Sequence, residues 1–160
     1  MSRQKTPITQ AVRVLRQHRV SIEHHPYEYL ESGGTAQFAR EMGVDEHLVI
    51  KTLIMEDEHR NPMIVLMHGD CEVSTKSLAR QIGVKAVRPC DPGVADKHSG
   101  YQVGGTSPFG TRREMPVYCE ASVLTLEKIY INGGKSGYII SMRPGEMAKI
   151  LKPIPVEAIQ

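Results

Sequence analysis

A chain of 160 residues with 40% hydrophobic content is the size of one compact domain, 1–160, with enough apolar material for its own core. Its 20 Lys+Arg against 18 Asp+Glu leave a net charge of only +2, which excludes a uniformly basic coat. Any contact with nucleic acid would therefore need a local patch. Cys71, Cys90 and Cys119 are widely spaced and form no CxxC pair, which argues against a disulfide framework and for a reducing compartment. With no signal-like N-terminus and no run of membrane-span length, a soluble cytoplasmic protein with no membrane partner is the expectation.

In chain order, "TPITQAVRVLRQH" predicts a first helix with Thr6 as N-cap, Pro7 at its first position, and Ile8, Ala11, Val12 and Leu15 as its apolar stripe. "VSIEHHPYEY" reads as extended, since Pro26 disfavours helix at His25. "TAQFAREMG" predicts a short helix between a Thr35 cap and Gly43. "HLVIKTLIM" and "MIVLMHG" flank the turn "EDEHRNP" and predict a hairpin whose two arms are both apolar. "STKSLARQIG" predicts a helix from Ser74 to Gly83, "KAVRP" a short strand, and "DPGVADKHSG" a helix capped by Asp91 and ended by Gly100.

"YQVGGTSPFG" reads as a strand entering a glycine-proline loop, and "MPVYCE" and "KIYING" as strands. "GGKSG" predicts a turn, "YIISM" the returning strand, and "PGEMAKIL" a final helix. Interleaved helices and hairpins imply an α/β or α+β fold with a mixed sheet.

Lys51 is the anomaly in this pattern. Side chains alternate along a strand, so its ammonium shares a face with Val49, Leu53 and Met55. Either it snorkels from a strand end, or the strand lines a cleft where the amine meets an anion or developing oxyanion. The "GGTSPFG" stretch at 104–110 offers adjacent glycines and successive N–H groups, the makings of an oxyanion cradle, although such stretches are commonly plain turns.

"GGKS" at 133–136 has Ile129 where a phosphate-binding loop needs its first glycine, and a strand pattern follows it, so no ATPase is expected. "HH" at 24–25 and "HGDCE" at 68–72 lack helical metal-ligand spacing, so no metal and no cofactor is expected. Cys71 with His68 as base is a weak nucleophile candidate.

"VIKTLIM", "GYQVGGTSPFG" and "KIYINGGKSGYII", in this order, resemble the YbaK/EbsC family of aminoacyl-tRNA deacylases, freestanding relatives of the editing domain of bacterial prolyl-tRNA synthetases. The resemblance runs from "TPITQAVRVL" through "EMAKIL" and implies a mixed, partly barrel-like sheet flanked by helices. It implies a trans-editing hydrolase that deacylates mischarged aminoacyl-tRNA, such as Cys-tRNA(Pro) or another small-amino-acid species, in support of translation fidelity. The partners implied are aminoacylated tRNA and prolyl-tRNA synthetase in a ternary complex.

In this chain the family's strand lysine falls on Lys51 with Thr52 beside it, its glycine loop on Gly104, Gly105, Thr106, Ser107 and Pro108, and its site aromatic on Tyr27. Lys51 and the Gly105 amide are the expected catalytic groups, the others and Asn132 the substrate-binding ones. Asn132 stands where the cysteine-clearing branch tends to have serine, and Ile139 where it tends to have aspartate. Arg13, Arg16, Arg19, Arg112 and Arg113 are candidate phosphate contacts. A non-catalytic module of the same fold that senses aminoacyl-tRNA or an adenosine ligand is the alternative.

Overall fold

The computed structural model describes residues 6–160 and is built on one mixed sheet with helices on both faces. In chain order it comprises α1 (Gln10–Gln17), β1 (Glu23–Pro26), α2 (Gly34–Met42), β2 (Val49–Asp57), β3 (Pro62–His68), α3 (Thr75–Ile82), β4 (Val87–Pro89), α4 (Pro92–Ser99), β5 (Val117–Glu120), β6 (Ile129–Lys135), β7 (Tyr138–Met142), α5 (Pro144–Leu151) and β8 (Ile154–Val156). Strand order is β1-β7-β6-β2-β3-β5-β8, with β4 also paired to β2. The β2–β3 and β6–β7 pairs are antiparallel, and β2–β6, β3–β5 and β5–β8 are parallel.

Several sequence expectations need correction. The first helix is capped by Thr9, whose hydroxyl accepts from the Val12 amide, so Thr6 and Pro7 lie before the helix and Ile8 is 63% exposed. Ala11, Val12 and Leu15 are buried as the stripe requires. Helix α2 starts at Gly34, and Thr35 instead donates to Glu46 Oε2 at 2.7 Å, tying α2 to the turn before β2. Residues 101–103 form no strand, and Gly133 and Gly134 belong to β6, whose register shifts between Asn132 and Lys135. Strand β8, at three residues, is too short to carry a periodic signal in the sequence.

The sheet has two unlike faces. One packs Ile50, Ile54, Ile64, Leu66, Ile129, Ile131 and Ile140 against α1, α5 and the loop residues Tyr101 and Phe109. The opposite face is covered in two separate pieces. Phe38 and Ala39 of α2 sit over Val49 and Ile139, with Tyr27 and Tyr130 alongside. Leu78 and Ala79 of α3 sit over Met55, Met63 and Val65, with Leu53 alongside. Lys51 falls between these pieces, on the uncovered seam.

Strand β2 is also interrupted along one edge. It pairs with β6 only through Val49 and Ile50, and with β4 only from Met55 onward. Residues 51–54 thus have β3 on one side and no strand on the other. Burial follows: Lys51, Thr52 and Leu53 are half-buried, whereas every residue of β3 is buried.

Candidate active site

The break in the sheet opens into a cleft of about 1110 Å³. Alternate residues of β2 point to opposite faces of a closed sheet. Here Lys51 and Leu53 from one face and Thr52 and Ile54 from the other line the same space. The loop residues Gly104 and Thr106, with Asn132 and Tyr27, contribute to its polar and aromatic lining. Register puts Lys51 and Asn132 on one face: Val49 pairs with Tyr130 and Ile50 with Ile131, and Lys51 and Asn132 are the first residues beyond the end of that ladder, where the strands no longer pair.

The amine of Lys51 lies 3.4 Å from Glu72 Oε1; the lysine side chain is 20% exposed and the glutamate 81%. An ion pair whose acidic partner is this open is worth little. The Thr52 hydroxyl oxygen is buried and has no hydrogen-bond partner among the described residues. Such a group carries an unmet desolvation cost that a ligand's polar atom can relieve.

Loop 104–108 is held by its own geometry. Gly104 has φ +89°, and a Cβ there would come within 2.7 Å of Tyr29 Oη. At Gly105 a Cβ would meet the Ser136 amide nitrogen at 2.7 Å, so only glycine lets the loop dock on the β6–β7 turn. The Asn132 side chain fixes the docking: Nδ2 donates to Gly104 O at 3.1 Å, while Oδ1 accepts from the amides of Gly134 at 2.7 Å and Lys135 at 3.2 Å.

Two expected roles shift accordingly. The Gly105 N–H already donates to Gln102 O at 2.8 Å, so it is not an open oxyanion donor. Asn132 spends its side chain on the loop and the bulge, which makes it a positioning residue. Ser107 and Pro108 are buried behind the loop, with Ser107 Oγ accepting from Phe109 N at 3.3 Å, and neither lines the cleft.

Tyr27 packs edge-on against Phe38 with ring centroids 5.3 Å apart, and burial, first among its causes, raises its phenol above the ordinary value. Tyr29, Phe38, Leu53, Val103 and Ala95 also line the cleft and escaped the sequence reading. For Tyr29 a signal existed, because Tyr27 and Tyr29 stand two apart in an extended segment and so share a face. Arg13, Arg16, Arg19, Arg112 and Arg113 are all exposed and none lines the cleft.

The cysteine-nucleophile reading fails on geometry. His68 is fully buried, with Nδ1 against His47 O at 2.7 Å and Nε2 against Ser122 Oγ at 2.6 Å, so it has no free nitrogen to act as base for Cys71. Cys90 and Cys119 are buried thiols pushed up to about 12 by desolvation. The adjacent His24 and His25 point apart, one to Tyr138 and the other to Ser141.

Fold and cleft define a mixed α/β module with an open cleft at an interrupted strand, a lysine on that strand and a glycine loop at its side. The chain belongs to the aminoacyl-tRNA editing domain family, whose model matches residues 32–150. It is 27% identical over 146 residues, covering 90% of this chain and 89% of the other, to the Enterococcus faecalis protein named "Putative Cys-tRNA(Pro)/Cys-tRNA(Cys) deacylase EbsC". It is 30% identical over 104 residues to the proline–tRNA ligase of Ligilactobacillus salivarius, a match covering 64% of this chain and 18% of that enzyme. The fold is shared at TM-score 0.82 and 16% identity with a solved structure called "Crystal structure of a putative trans-editing enzyme for prolyl tRNA synthetase", over 97% of this chain and 99% of that one. Among the described residues, no helix is long and apolar enough to cross a membrane.

Proposed function

We propose that this chain is a trans-editing hydrolase that removes a small, wrongly attached amino acid from tRNA, with Cys-tRNA(Pro) the leading substrate. The observation that carries the reading is the sharing of one cleft by Lys51 and the Gly104–Thr106 loop, at the point where β2 loses its neighbour. Lys51 would exchange Glu72 for the 3′-terminal phosphate or the polarised ester carbonyl of the substrate. The amide of Thr106, a residue that lines the cleft and whose N–H makes no backbone hydrogen bond among the described residues, takes the oxyanion role that Gly105 cannot fill. Thr52 Oγ supplies a further polar contact within the cleft. Water or a group of the substrate itself attacks the ester carbon, and the aminoacyl oxygen bond breaks with the ribose hydroxyl leaving. The protein's contribution is then positioning and charge stabilisation.

The choice of cysteine is supported by the likeness to EbsC, and association with prolyl-tRNA synthetase by the match to a segment of proline–tRNA ligase. Ile139, 6% exposed at the cleft wall, makes the pocket apolar where an acidic residue would favour an ammonium group.

The test is a panel of Cys-, Ala- and Ser-charged tRNA(Pro) and correctly charged Pro-tRNA(Pro), with free amino acid release followed over time. Release from Cys-tRNA(Pro) well above the rest is expected. Release only from Ala- or Ser-tRNA would keep the editing reaction and replace the substrate. Tight binding without release from any member would establish the non-catalytic sensor instead.

A further inference from the structure

We propose that His47, Asp70 and Cys71 form a binding site for one divalent transition-metal ion of the zinc class, outside the cleft. Their ligand atoms all lie within 4.8 Å of one another. His47 Nδ1 is 2.8 Å from Asp70 Oδ1, and Cys71 Sγ is 3.4 Å from the same oxygen. In a tetrahedral site with bonds of about 2.0 Å to nitrogen or oxygen and about 2.3 Å to sulfur, neighbouring ligand atoms stand about 3.3–3.5 Å apart. The sulfur–oxygen edge already has that length, and the nitrogen–oxygen edge needs to open by about half an ångström.

Both arms of the cluster are anchored to one buried residue. The His47 ring stacks on His68 with centroids 3.6 Å apart and an interplanar angle of 6°. His68 is itself held by Ser122 Oγ and the His47 carbonyl. On the other arm, the Cys71 amide donates to His68 O at 3.1 Å. The ligands are therefore presented by two chain segments, the turn Glu46–Leu48 and the exit of β3, that a rigid core residue holds in register.

Donor chemistry selects the ion. Imidazole, carboxylate and thiolate together suit zinc-class ions, whereas calcium and magnesium call for oxygen ligands throughout. The thiol now donates to Asp70; binding forms a metal–sulfur bond, releases that proton to solvent, and changes no oxidation state. Carboxylate and thiolate together neutralise a divalent ion. The side chains of His47 and Asp70 are 38% and 40% exposed, which leaves room for water at a fourth position. Lys51 and Glu120 are further charges that act on Cys71. None of the three ligands lines the cleft, and so this site stands apart from the proposed deacylation. Its position matters nonetheless: Cys71 directly precedes Glu72, the partner of Lys51, so a bound ion would fix the segment that holds the lysine's counter-charge.

The experiment is a Co²⁺ titration of the metal-free full chain followed by absorbance. Saturation at one equivalent is expected, with a thiolate-to-cobalt charge-transfer band and tetrahedral ligand-field bands that Zn²⁺ abolishes. Cys71→Ser should lose the charge-transfer band, Cys90→Ser should keep it, and His47→Gln and Asp70→Asn should each weaken binding by about tenfold or more. Zn²⁺ should also shield Cys71 of the unmodified chain from iodoacetamide, a readout that needs no folded variant. Absence of the band at one equivalent, its survival in Cys71→Ser, or equal alkylation with and without Zn²⁺ would reduce the cluster to a surface ion pair with a thiol beside it.

Discussion

Strands β2 and β3 are adjacent, similarly apolar and paired to one another from Ile50–His68 to Glu56–Pro62, yet they do opposite work. Strand β3 has β2 on one side and β5 on the other, and all of its residues are buried. Strand β2 loses its second neighbour over residues 51–54, and there the lysine, the orphaned threonine hydroxyl and the cleft coincide. A backbone polar group without a ladder partner must find water or a ligand. Interrupting a strand thus creates binding capacity without removing the strand from the core. The apolar run builds the wall and the missing partner opens the cleft.

Lys51→Ala should break the comparison most sharply. Deacylation should fall by about 10²–10³-fold with an unchanged melting curve, as for loss of one preorganised electrostatic donor. Lys51→Arg should fail as well, because a planar guanidinium does not replace a compact ammonium. Single-turnover rates on mischarged tRNA check both, and near-parental turnover by Lys51→Ala would take the lysine out of the mechanism.

The mirror experiment is Leu66→Ala in β3, at a fully buried position paired with Thr52. It should cost about 2–5 kcal/mol in denaturant unfolding. The surviving folded protein should keep the parental KM.

Gly105→Ala places a methyl 2.7 Å from the Ser136 amide nitrogen, which is backbone and cannot swing away. Undocking the loop should cost about 1–3 kcal/mol and lower kcat with it. A variant as stable and active as the parent would show that the loop is not seated on the β6–β7 turn.

A smaller effect is expected from Asn132→Ser, which removes the Nδ2 bond to Gly104 O and shortens the reach to the Gly134 and Lys135 amides. KM should rise by about 5–10-fold, in line with one lost hydrogen bond. Unchanged steady-state kinetics would free the loop from this clamp.

The smallest effect lies at the far end of β2, where β4 closes the edge again. The Arg88 guanidinium, by hydrogen bonding, holds the Glu56 carboxyl below its ordinary 4.5, and the Asn61 amide does the same for Asp57 below its ordinary 3.8. Both folded-state values are depressed, so their stabilisation is complete above the unfolded-state values and lost as pH falls through the folded ones. Urea midpoints should therefore decline on the acid side of about pH 4–5, and Arg88→Gln should flatten that decline. A midpoint independent of acid in the parent would exclude the coupling.

Much of the molecule was legible in the chain itself. The cap at Ser74, the N-cap position of Asp91 (whose side chain makes no capping bond), the terminators Gly43, Gly83 and Gly100, and the two-residue alternation of the hairpin are local signals, written within one or two turns of the residues they govern. The conflict of Lys51 with its apolar neighbours is legible as either a snorkelling strand end or a cleft lining, and the fold puts the residue in the cleft lining. Family resemblance then joined it to the glycine loop, far along the chain.

Other features depend on residues distant in sequence and nearby only after folding. The sheet gap requires β4 and β6 to stop short of each other on the same edge of β2. The diversion of the Gly105 amide to Gln102, the threefold use of the Asn132 side chain, and the meeting of His47 with Asp70 follow from how loops pack. Periodicity and caps report what a segment does alone; hydrogen-bond partners across the fold are settled only when packing has fixed which groups remain unpaired.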